Sequence, residues 1–182
     1  MPRPPSAMRR HILDSALHLF AEHGFKGTSL QDIAVEARCS KASLLYHFAG
    51  KDAILTELLT PPAEGLSALR EELALLEGGR AVEPAVTGYV GLAMRFHLEV
   101  KIIFAELPDM LSHPVLAVIP EAVDQLADAL AGRSREPRAR AMAQMVIGGV
   151  AVTVAADIDT DTDTLRTELV QGALRTLGHP TG

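Results

Sequence analysis

Apolar residues recur along this chain every three or four positions, the spacing that lines one face of a helix. Ile12, Leu13, Ala16, Leu17, Phe20 and Ala21 form the first stripe, and Gly24 stands where a helix would end. Ser29 with Asp32 three residues on is a capping-box pattern, ahead of a short second stripe of Leu30, Ile33, Ala34 and Ala37. Ser40 is placed to cap a third helix, Lys41 to about Phe48. A fourth begins at Lys51 with Ile54, Leu55, Leu58 and Leu59. Pro61-Pro62 is expected to kink or stop it, because proline lacks a donor and clashes with the preceding turn. Further helical patterns follow over 63–77, over 84–107 as one helix or two, and over 114–131 with a bend at Pro120. Residues 138–156 and 162–177 supply the last two. No segment alternates with period two between hairpin turns. The pattern predicts an all-α chain of about nine helices.

Composition narrows the function class. Hydrophobic residues are 48% of 182, enough for a core, while aromatics are 4% and tryptophan is absent. Leu, Ala, Val and Ile must fill the interior, which suits helix packing. A net charge of -6 argues against a nucleic-acid partner for the chain taken whole. Residues 1–60, however, hold seven Lys/Arg against six Asp/Glu, whereas 61–182 hold ten against seventeen. The acidity belongs to the later part, and such asymmetry suggests divided labour. Cys39 is the only cysteine, which excludes an internal disulfide and any multi-cysteine metal site. The first ten residues have no apolar stretch behind their arginines, so no signal peptide is read. The longest uncharged run, Ala141–Ala156, is shorter than the ~20 residues that span a bilayer. The expectation is a soluble, cytoplasmic protein with no membrane partner.

Residues 29–48 carry the chemistry. A capped short helix, a turn at Arg38-Cys39-Ser40 and a second short helix make a helix-turn-helix, whose second helix enters the major groove. Ser43, Tyr46 and His47 can donate to phosphates or base edges, and Lys41 and Lys51 supply charge. Phe20-Ala-Glu-His-Gly-Phe-Lys-Gly-Thr-Ser-Leu-Gln-Asp-Ile-Ala, followed by Ser40-Lys-Ala-Ser-Leu-Leu-Tyr-His-Phe-Ala-Gly-Lys-Asp, resembles the N-terminal domain of TetR-family transcriptional regulators. The resemblance covers roughly residues 9–55.

That resemblance implies a helix-turn-helix DNA-binding domain over 1–50 with its N-terminal arm, and a helical ligand-binding and dimerisation domain over 51–182. It implies a homodimer that reads a palindromic operator in double-stranded DNA and is released by a small-molecule effector, most simply as a repressor. No cofactor, metal or catalytic residue is called for. The DNA-contacting set it implies is Thr28, Ser29, Lys41, Ala42, Ser43, Leu45, Tyr46, His47 and Lys51. Leu45 departs from the family, which usually places tyrosine there. Leucine can pack on a thymine methyl. Arg38 and Cys39 stand where glycine and a β-branched residue are commoner. Arg3, Arg9 and Arg10 read as an arm toward the minor groove or as an unstructured tail.

Candidate effector contacts are Met94, Phe96, His97, Phe104, Met110, Gln144 and Met145, chosen because methionine suits an adaptable apolar pocket. Candidate dimer contacts are Met145, Gly148, Gly149, Val152, Leu169 and Ala173 on the last two helices, where small residues allow close approach. Asp157, Asp159, Asp161, Asp163 and Glu168 fall at calcium-loop positions, but Thr162 occupies the place that needs glycine. Acidic residues ahead of a helix also suit its N-terminal dipole. An activator of the same fold is one rival reading. A small helical enzyme using His97 or His113 with Glu99, Glu106 or Asp109 is another, although no nucleophile, base and orienting group occur as a set.

Overall fold

The computed structural model describes residues 7–106, 110, 113–156 and 158–179. Among them are nine α-helices and two short 3-10 segments. In chain order the helices are α1 (Ala7–His23), α2 (Leu30–Glu36), α3 (Lys41–His47), α4 (Lys51–Ala74), α5 (Val82–Arg95), α6 (His97–Ala105), α7 (Ile119–Leu130), α8 (Pro137–Ala155) and α9 (Thr162–Thr176). The all-α expectation holds. Arg3, Asp109 and Asp157 lie outside the described residues.

Local signals fix the first boundaries. Gly24 takes φ +77° and bonds its N–H to Phe20 O, closing α1 in a backbone region that L side chains avoid. Ser29 Oγ accepts from Asp32 N while Asp32 Oδ2 accepts from Ser29 N, the full capping box. Ser40 Oγ accepts from Ser43 N at the start of α3. At seven residues each, α2 and α3 are far below the ~12–15 at which an isolated helix persists in water. Their stability therefore comes from caps and from burying Ile33, Ala34 and Leu44.

The Pro61-Pro62 expectation is corrected. The helix runs on to Ala74 with both prolines inside it. An interior proline costs ~3 kcal/mol. Leu58, Leu59 and Leu66 bury on either side of the pair, and together, at ~1.5–3 kcal/mol each, they offset a loss of the same order at the two prolines. The 84–107 pattern resolves into two helices, broken at Phe96 (φ −112°, ψ 37°). Pro120 does not bend a helix but lies in the first turn of α7, where its missing N–H costs nothing.

Two apolar cores result. One joins α1, α2, α3 and the first turns of α4, with Ile102 of α6 and Met110 and Leu116 beneath them. The other gathers α4 from Leu66 onward with α5, α7, α8 and α9. Helix α4 thus belongs to both, and α6 packs on α1 at one side and α8 at the other.

Candidate nucleic-acid interface

The turn between α2 and α3 is tight. Arg38 N bonds Val35 O and Cys39 N bonds Ala34 O, which forces Arg38 to φ +51°. Leu44 and Phe48 anchor α3 inward. Lys41, Ala42, Leu45 and Tyr46 then share its outer face, as the 100° step per residue requires. Tyr46 is 86% exposed and Leu45 45%. Both are large side chains open to solvent on that face. Ser43 and His47 flank the face half-buried, and the His47 ring meets Tyr46 edge-on.

Two residues of the expected DNA-contacting set are committed elsewhere. Thr28 is 2% exposed, and its hydroxyl donates to Gly24 O (2.9 Å) or Leu19 O (3.2 Å). Lys51 Nζ donates to Phe25 O and Thr28 O and lies 4.3 Å from the centre of the Phe25 ring. Both residues brace the loop ahead of α2. Ser29 is exposed, and its hydroxyl oxygen accepts from Asp32 N in the capping box.

The arginine arm is corrected in part. Arg9 lies within α1, donates to His47 O, pairs with Glu57 and stacks over Phe48 at 4.2 Å. It bolts α1 to the end of α3 and to α4, a role no local sequence pattern could reveal. Arg10 is exposed on α1. Cys39 is half-buried and packs against the first core.

Residues 12–58 match the family model for bacterial regulatory proteins of the tetR family. A stretch of 128 residues is 34% identical to the HTH-type transcriptional regulator RutR of Escherichia coli (strain K12), covering 68% of this chain and 55% of that protein. The chain belongs to the TetR family. A stretch of 47 residues is 49% identical to the biofilm operon icaADBC HTH-type negative transcriptional regulator IcaR of Staphylococcus aureus (strain Newman), covering 26% of this chain and 25% of that one. This TetR-family chain thus spans about half the length of RutR and a quarter of IcaR. The fold is shared with the ketosteroid transcriptional regulator KstR2 of Mycobacterium tuberculosis, at TM-score 0.77 and 20% identity over 96% of this chain and 95% of that one. Members of the family are DNA-binding transcriptional regulators, not enzymes, which sets aside the enzyme reading of His97 and His113.

Beyond α3 the chain holds a partly open apolar cavity of about 90 Å³. Pro62 and Leu66 of α4, Tyr89 and Leu92 of α5, Phe96 between helices, and Ile103 of α6 are among its walls. Of the expected effector contacts, Phe96 alone lines it. Met94 and His97 face a separate open recess with Arg95, Ile158 and Leu165. Phe104 is exposed, Met110 is buried in the first core, and Gln144 and Met145 lie on the outer side of α8. The sequence puts Ala93, Phe96 or His97, Val100, and Ile103 or Phe104 on one helical stripe. Only packing shows that Phe96 and Ile103, not their neighbours His97 and Phe104, turn inward.

On α8, Met145 is 61% exposed and Val152 55%, with Gly149 exposed between them. A Cβ added at Gly148, Gly149 or Gly172 would meet nothing within 4 Å. Leu169 is half-buried, and Ala173 belongs to the chain's own core. The calcium pattern has a plainer use. Asp161 Oδ1 accepts from Thr164 N and caps α9, and no metal-holding cluster occurs among the described residues.

Proposed function

We propose that this chain is a cytoplasmic, homodimeric repressor of transcription that reads a palindromic operator with α3 and is released by a small-molecule effector. The observation that carries the reading is the capped α2–turn–α3 unit, whose outer face of Lys41, Ala42, Leu45 and Tyr46 is exposed. Ser43 and His47 at its flanks reach backbone phosphates, and the exposed Ser29 reaches one from the start of α2. Thr28 and Lys51 support the unit from within. Repression is favoured over activation because the similar IcaR is a negative transcriptional regulator. Among the described residues no helix is long and apolar enough to cross a membrane.

The division of labour follows the two cores. Residues 1–50, with the first turns of α4 packed beneath them, read DNA, and residues 51–182 bind effector and pair the subunits. Met145, Gly149 and Val152 of α8 meet their counterparts across a two-fold axis, with Gly148, Leu169 and Gly172 at the edges. Such an axis sets two α3 helices about one DNA turn, ~34 Å, apart. The cavity walled by Phe96 is the effector site. The effector acts by favouring an arrangement in which the two α3 helices no longer fit adjacent grooves.

A selection from random and genomic duplexes at two salt concentrations tests this. An enriched palindrome, bound more weakly at the higher salt, is expected. A folded dimer that enriches no sequence, even after refolding to strip bound ligand, would overturn it.

A further inference from the structure

The walls of the effector cavity restrict what it can hold. Eleven residues line it, and ten of them are Pro, Ala, Leu, Phe, Val or Ile. The other is Tyr89, whose hydroxyl donates to Ile147 O at 2.9 Å and so ties α5 to α8. Among the described residues neither an acid nor a base lines the cavity, and the one polar side chain there has spent its proton. An ion placed there would lose its hydration with no partner in return.

The wall is also built to give. Pro61 and Pro62 lack the N–H groups that would bond the carbonyls of Glu57 and Leu58, so the ladder of α4 is thinnest where Pro62 and Ala63 meet the cavity. Helix α4 continues from that joint straight into the core beneath α3.

We propose that the effector is an uncharged molecule that inserts a compact hydrocarbon group of about five or six carbons between α4, α5 and α6. The open recess at Arg95 and His97 shares no lining residue with this cavity, so an effector held in the cavity needs no anionic group to meet those bases. This inference rests on the effector-released reading above and names the chemistry of that site.

The test uses the full-length chain with benzene, toluene and benzoate, the last two nearly equal in shape and different in charge. Methyl NMR should show saturable shifts at Leu66, Leu92, Ile103 and Leu116 with benzene and toluene, and a rise in melting temperature. Benzoate should bind there at least about 100-fold more weakly, since an unpaired buried charge costs several kcal/mol. Ala93→Val, which narrows the cavity by two methyl groups, should weaken or abolish the toluene shifts. If that variant fails to fold, the wild-type comparison of toluene with benzoate still decides. Benzoate binding as well as toluene at these methyls, toluene perturbing only other methyls, or neither binding, would each overturn the proposal.

The same titrations are then run on the complex with the selected operator. Cavity binding by toluene without loss of DNA would count against effector release while leaving the cavity chemistry intact. Release by benzoate acting at the cavity methyls would do the reverse.

Discussion

Arg38 pays for its position. At φ +51° it occupies backbone space that costs an L residue ~1–2 kcal/mol and glycine little. Glycine loses more freedom on folding, so Arg38→Gly should stabilise the chain by a net ~0.5–1 kcal/mol. Urea unfolding checks this: the midpoint should rise with an unchanged slope. The two lysines flanking α3 are separable in the same way. Lys41 is exposed, and Lys41→Ala should lower the salt dependence of operator binding by about one unit of slope and leave stability alone. Lys51 holds two carbonyls, so Lys51→Ala should cost ~1–2 kcal/mol of stability and leave that slope unchanged. Salt titrations beside thermal unfolding tell them apart. The reverse pattern would mean that Lys51, not Lys41, meets phosphate. Sequence placed both lysines near DNA because charge is visible in a sequence, whereas the acceptor a charge finds is not.

At the scale of elements, the caps set a pH limit. The Ser29 hydroxyl and backbone N–H hold the Asp32 carboxyl below the usual range, and Thr164 does the same for Asp161. A carboxyl whose folded pKa lies below its unfolded value, ~3.9, stabilises fully above that value. The contribution disappears as pH falls through the lower folded value. Asp161→Asn should therefore destabilise at pH 6 and lose its effect as pH falls below ~4, as urea midpoints across that range would show. A second prediction concerns the joint between the two halves. Glu106, at the end of α6, accepts from Lys26 N at 2.9 Å, and a Cβ on Gly24 would lie 2.9 Å from that same oxygen. This one carboxylate links a cavity-walling helix to the loop that leads into α2. Glu106→Ala should speed hydrogen exchange at the Lys26 amide, and Glu106→Gln, which keeps an acceptor, should largely restore protection. Exchange at Lys26 equal to wild type in Glu106→Ala would show that the link is not maintained in solution.

At the scale of the whole molecule, the dimer proposed above pairs through the outer faces of α8 and α9. Val152 and Met145 are exposed beside glycines that no atom of this chain approaches. Val152→Glu should convert a dimer to monomers in sedimentation at micromolar concentration, because it buries an unpaired charge at an apolar contact. The same variant should bind a full palindrome no better than a half-site. Dimers that persist in Val152→Glu would place the pairing surface elsewhere.

The helices α1 to α3, their caps and the exposed face of α3 were readable in the sequence, because each depends on spacing and capping within a few residues. So was the family, carried by an ordered string of such local features. The continuity of α4 through two prolines was not, since it rests on leucines buried by helices distant in sequence. The inward turn of Thr28, Lys51 and Arg9 was hidden for the same reason: their partners lie on other elements. The choice of Phe96 over His97 as a cavity wall was equally hidden, because a helical stripe fixes a face only to within one residue, and the α5–α6 break at Phe96 sets which neighbour turns inward.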